Sequence, residues 1–194
     1  MSVVSKLGAV FAVFMTAAPA IAIPGQSTDE AAAWMQSNST LRPQRGEKLL
    51  MRRSHTAAQR FSFEASILPP GKITRIPVGA RLIRSETMTF FDMQNGVTLN
   101  RLRESLRSVY GIDIAQDFDR ASVLVSYPDD AKIQKALTQQ DGITAALQGE
   151  LRKGDQFGYW LEIAQTTQGF AYTGRLTIFL KEDTEKLQAE LGNR

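Results

Sequence analysis

The stretch AALQGELRKGDQFGYWLEIAQTTQGFAYTGRLTIFL, residues 145–180, decides the fold. Turn formers at Lys153, Gly154 and Asp155, and again from Thr166 to Gly169, cut it into three segments of strand character. In the third segment Phe170, Tyr172, Leu176, Ile178 and Leu180 recur every second residue, with Gly174 on the same face. That period of two is the mark of a strand with one buried side. The three segments therefore read as a meander, one strand after another in a single sheet.

The same logic works outward from there. RFSFEASI at 60–67 sets Phe61, Phe63, Ala65 and Ile67 against Ser62, Glu64 and Ser66, and LPPG ends the run. A further strand is predicted from about Leu82 to Phe91, and another in ASVLVSY at 121–127. Helices are interspersed. Ser27 and Glu30 stand at capping-box spacing before an Ala-rich run anchored by Trp34. In VTLNRLRESLRSVYG, residues 97–111, the apolar positions Leu99, Leu102, Leu106 and Val109 follow helical spacing, Thr98 suits the N-cap and Gly111 the stop. Short helices are also predicted in PDDAKIQKAL, starting near Asp129, and in DTEKLQAELG, where Leu187 and Leu191 would be buried. Strands in runs, without strict alternation of strand and helix, predict an α+β fold with a mainly antiparallel sheet. Its C-terminal three-stranded meander would be covered by two or three helices.

Ahead of this lies MSVVSKLGAVFAVFMTAAPAIA, residues 1–22, with a basic start at Lys6, an apolar run from Leu7, and small residues at Ala18, Ala20 and Ala22. This is a secretory signal pattern. Cleavage after Ala22 would leave 172 residues beginning at Ile23. The competing reading is an uncleaved anchor that makes a membrane-tethered structural protein. Its 17 uncharged residues, Leu7 to Ile23, are Ala-rich and broken by Pro19, at the lower length limit of about 17 for a span. Residues 23–60 read as an N-terminal helix and linker, the linker centred on NSTLRPQRGEK at 38–48, and residues 61–194 as a single α+β domain.

Composition removes several function classes. The chain has no cysteine and one histidine, His55, so thiol nucleophiles, disulfides, iron–sulfur clusters and multi-histidine zinc sites are excluded. No cofactor is expected. The sequence contains no P-loop, no GxGxxG, no GxSxG and no HExxH. His55, flanked by Arg52, Arg53 and Arg60, has no identifiable nucleophile to serve and reads as a surface histidine.

Two further constellations invite chemistry. GIDIAQDFDRAS at 111–122 holds Asp113, Asp117 and Asp119, a candidate cation site whose DxxxDxD spacing departs from the EF-hand loop and supplies too few ligands locally. The preferred reading is a turn and strand edge with all three carboxylates on one face. A glycosidase-like hydrolase working with carboxylates alone would use Asp117 or Asp119 with Glu162, and would need them about 5–10 Å apart in a cleft. Tyr159, Trp160 and Tyr172 form a candidate aromatic face, since alternation leaves Tyr159 or Trp160 exposed if helices cover only one side of the sheet.

Charge is the clearest signal. Residues 42–107 carry 13 Lys/Arg, 11 of them arginine, against 5 Asp/Glu, whereas residues 108–194 carry 9 against 13. Arg84, Arg101, Arg103 and Arg107 fall on two predicted neighbouring elements and form a candidate partner-binding surface, because guanidinium suits a two-pronged grip on carboxylate or phosphate. Without the leader the net charge is only +2, and no nucleic-acid-binding pattern is present. The expected partner is an acidic protein, an anionic polymer or an anionic membrane surface, held by a non-catalytic binding or assembly module.

FFDMQNGVT at 90–98, RESLRSVYG at 103–111 and QGELRKGDQFGYWLEIAQ at 148–165 resemble a group of uncharacterised exported proteins of cyanobacteria. The resemblance spans most of the chain after the leader. It implies the periplasm or thylakoid lumen, and implies no activity.

Overall fold

A computed structural model describes residues 24–72, 81–128, 147–166 and 168–192. The leader at 1–22 and the helix expected from Asp129 lie outside the described residues. Helix α1, Thr28–Ser37, starts from the expected capping box: the Ser27 side chain accepts from the Glu30 amide, and the Glu30 side chain accepts from the Ser27 amide. Helix α2, Leu99–Tyr110, is capped by Thr98, whose hydroxyl accepts from the Arg101 amide. It stops at Gly111 with φ 86°, a left-handed conformation that favours a residue without Cβ.

Seven antiparallel strands form one sheet: β1 Leu50–Thr56, β2 Gln59–Ser66, β3 Ser85–Asp92, β4 Ser122–Tyr127, β5 Leu147–Lys153, β6 Phe157–Gln165 and β7 Ala171–Leu180. Their order is β1-β2-β3-β7-β6-β5-β4. β5, β6 and β7 make the expected meander, and the chain is α+β as its pattern predicts. The final strand thus lies in the middle, joining an N-terminal hairpin system to the C-terminal one.

Alternation sorts the side chains onto two faces. Phe63, Met88, Leu176, Ile178, Leu161 and Tyr159 point to the side covered by α1, α2 and a third helix, and form the main core with Trp34, Leu102 and Leu106. Trp34 stacks on Tyr110 at 6.2 Å between ring centres, which fastens α1 to α2. On the reverse side Tyr127, Leu151, Trp160 and Phe179 meet Leu187 and Leu191 of helix α4, Thr184–Gly192. α4 covers the C-terminal half of that side; at the other half the reverse side presents Ser62, Glu64, Thr87 and Thr89, exposed or half-buried.

Two elements differ from the sequence reading. Residues 50–56, within the expected linker, are a full strand, β1, in which only Met51 is buried. An outer strand needs little apolar surface, so its pattern carries almost no alternation. The second is the Asp segment. Residues Ile112–Arg120 form helix α3 rather than a turn and strand edge, with Ile114, Ala115, Asp117 and Phe118 buried. The four-residue spacing of Ile114 and Phe118 is the helical signal that the regular run of aspartates obscured. Gly111 serves both helices, closing α2 and opening α3.

Candidate functional site

The three aspartates do not converge. Asp113 and Asp119 are exposed on α3, while Asp117 is fully buried. Its Oδ2 accepts from the Tyr159 hydroxyl at 2.6 Å, and its Oδ1 accepts from the Asp155 amide at 2.8 Å and the Gln156 amide at 3.3 Å. Asp117 thus ties α3 to the β5–β6 turn and to the core tyrosine. Burial first, and then the bond to Asp117, push the Tyr159 phenol well above its ordinary pKa, so it stays a donor. Among the described residues no group of three or more acidic or histidine side chains is placed to hold a metal ion.

Asp117 and Glu162 lie on opposite faces of the sheet. Tyr159, which holds Asp117, belongs to the helix side, whereas Glu162 alternates with it on the reverse side, bonded by Tyr127 at 2.6 Å and Arg175 at 2.8 Å. The two carboxylates cannot share one cleft.

The aromatic face also dissolves. Tyr159 is buried beneath α3, its ring edge-on to Phe118 at 5.3 Å. Trp160 is buried on the other side, donating to the Tyr127 hydroxyl at 2.7 Å with the Arg175 guanidinium 4.0 Å from its ring centre. Both sides of the sheet are covered at this point, so neither ring is left open. Tyr172, near the other end of β7, is exposed against Phe170 at 4.9 Å.

Three of the four arginines singled out by sequence are committed inside the molecule. Arg84 pairs with Asp183 and Glu182, both at 2.7 Å. Arg101 pairs with Asp92 at 2.7 Å and donates to the Gly96 carbonyl, locking the passage from β3 into α2. The Asn95 amide and then Arg101 hold the Asp92 carboxyl well below the usual carboxylate range. Arg103 shares Glu150 with Arg152, whose guanidinium also lies over Phe118. Arg84 precedes β3 and Asp92 ends it, so Arg84 and Arg101 sit at opposite ends of one strand. Arg107 is exposed in the last turn of α2 and makes no ion pair among the described residues.

The open positive charge gathers elsewhere. Between residues 42 and 60 there are six basic side chains, Arg42, Arg45, Lys48, Arg52, Arg53 and Arg60, against one acidic, Glu47. All six are exposed, and none joins an ion pair among the described residues. They run along the terminal strand β1, the loop before it and the start of β2. Between this hairpin and α2 opens a cleft of about 600 Å³. Phe61 and Phe90, packed at 4.9 Å, line it together with Arg53, His55, Arg60 and Arg101, and Glu104 of α2 borders it. The Arg60 guanidinium lies 4.3 Å from the Phe91 ring centre, an arrangement that steadies the cation without neutralising it.

Of the candidate arginines only Arg101 lines this cleft. Arg53, Arg60 and His55 were the missed members, and the sequence signal for them was the run of uncompensated basic residues from 42 to 60. Compared with family models, curated proteins and solved structures, the chain finds no match.

Proposed function

We propose that the protein is an exported, non-catalytic binding or assembly module of the periplasm or thylakoid lumen, which holds an acidic protein segment in the cleft beside β1. The observation that carries this reading is the pair Arg53 and Arg60: exposed guanidiniums, in no ion pair among the described residues, at the mouth of a cleft lined by phenylalanine. A guanidinium already paired with a carboxylate gains little from a second one, whereas Arg60, and Arg53 with its bond to the neutral Ser39 carbonyl, each gain a charge-assisted bond. Arg101, fixed by Asp92, supplies a rigid wall in place of a grip. Walls on two sides suit an entering chain better than a flat bilayer.

The test is binding of a fluorescent oligoglutamate at low and high salt. Replacing both Arg53→Gln and Arg60→Gln is expected to weaken binding at least about tenfold and to flatten its salt dependence. Affinity indifferent to both the substitutions and salt would reject the site, and preference for anionic vesicles over the peptide would move the partner to a membrane surface. The compartment is tested separately. Intact mass of the protein recovered from its native cells is expected to show a chain beginning at Ile23; a retained leader would instead support the membrane-tethered structural reading.

A further inference from the structure

We infer that the acidic segment enters as an extended strand paired along β1, becoming an eighth strand of the sheet; this rests on the reading of the basic cleft as the docking site. Among the described residues β1 ends the sheet, with β2 as its one neighbour. Among the described residues no backbone bond outside the ladder to β2 reaches residues 50–56, and Arg52 to Thr56 are exposed. The outer backbone edge of this strand is therefore open to a partner that brings its own donors and acceptors.

Charge decides which partner. A second copy of this chain, paired edge to edge, would set Arg52 and Arg53 against their own kind, the device by which sheets avoid pairing with themselves. An acidic strand meets the same residues with opposite sign. Its side chains would alternate between faces, and hollows exist on both. The 600 Å³ cleft faces α2, and a second hollow of about 250 Å³ lies on the reverse side, lined by Arg52, Ser54 and Ser62. Arg53 and Arg60 border both hollows. Acidic residues at successive positions of the incoming strand therefore each find a guanidinium. The register shift between Ser54 and Thr56 ends the regular edge, so pairing runs along Leu50 to Ser54.

The experiment compares two peptides of alternating glutamate and valine, identical in charge, one of them N-methylated at every second amide so that it lacks the donors facing β1. The unmodified peptide is expected to bind about tenfold more tightly and to slow hydrogen exchange of the outward β1 amides. The Arg53→Gln, Arg60→Gln variant is expected to weaken both peptides alike. Equal affinity for the two peptides, with arginine dependence kept, would overturn strand pairing and leave the cleft standing. Failure of both peptides to bind the full chain would overturn both readings, and dimers that form through β1 would make a second copy the occupant.

Discussion

Asp117→Ala is expected to lower the unfolding free energy by about 3 kcal/mol, since each buried polar group left without a partner costs about 1–3 kcal/mol. The substitution takes the carboxylate acceptor from the Tyr159 hydroxyl, which is fully buried and keeps only the Ile114 carbonyl at 3.5 Å, from the amide of buried Phe157, and from the Asp155 and Gln156 amides, whose residues are exposed. Water can replace the carboxylate at the two exposed amides but not at the phenol or the Phe157 amide, so the two buried groups carry most of the loss. Asp117→Asn keeps the shape and one acceptor oxygen, and is expected to cost about 1 kcal/mol. Denaturant unfolding of the three proteins with an unchanged slope checks both values. An alanine variant within a few tenths of a kcal/mol of the parent would show that this carboxylate does not anchor the hairpin turn to α3.

Raising the pH from 5 to 8 is expected to destabilise the protein through Glu86. This glutamate lies on the helix side of β3, 1% exposed, and its Oε2 accepts from the Tyr110 hydroxyl at 2.8 Å while Oε1 has no hydrogen-bond partner among the described residues. Burial pushes its carboxyl up from 4.5 to about 7, opposed only in part by the Tyr110 bond. Above 4.5 the unfolded chain releases this proton while the folded chain retains it, so stability falls as pH rises and the loss is complete above about 7. The size is about 3 kcal/mol. Glu86→Gln cannot ionise, so its stability is expected to stay flatter across this range and to exceed that of the parent at pH 8. Parallel pH profiles for parent and variant would contradict the assignment.

The parts of the fold readable from sequence are those where one local cause dominates. Ser27 with Glu30, Thr98 with Gly111, and the alternation of Phe61, Phe63 and Ala65 each specify an element without help from distant residues. β1 was unreadable because an outer strand of exposed Arg52, Arg53 and His55 has the composition of a loop, and only pairing with β2 makes it a strand. α3 reads as a strand edge because Asp113, Asp117 and Asp119 recur at even spacings, which mimics a period of two. The buried aspartate among them became intelligible only once Tyr159 and the β5–β6 turn were seen to converge on it. The arginines illustrate the same limit. Sequence counts cations, but their availability depends on carboxylates far along the chain: Asp183 reaches Arg84 across 99 residues and Glu150 reaches Arg103 across 47.

The place of β7 bears on how the molecule assembles over time. The strands β1, β2 and β3 are neighbours, and so are β4, β5 and β6, but among the described residues the two sets are joined in the sheet only through β7, the last of the seven to be synthesised. Until it emerges, β3 and β6 each present a raw inner edge, so a nascent chain carries two unjoined half-sheets. A truncation before Ala171 therefore removes the seam and leaves both halves open to mispairing, a fate that loss of the outer strand β1 would not impose.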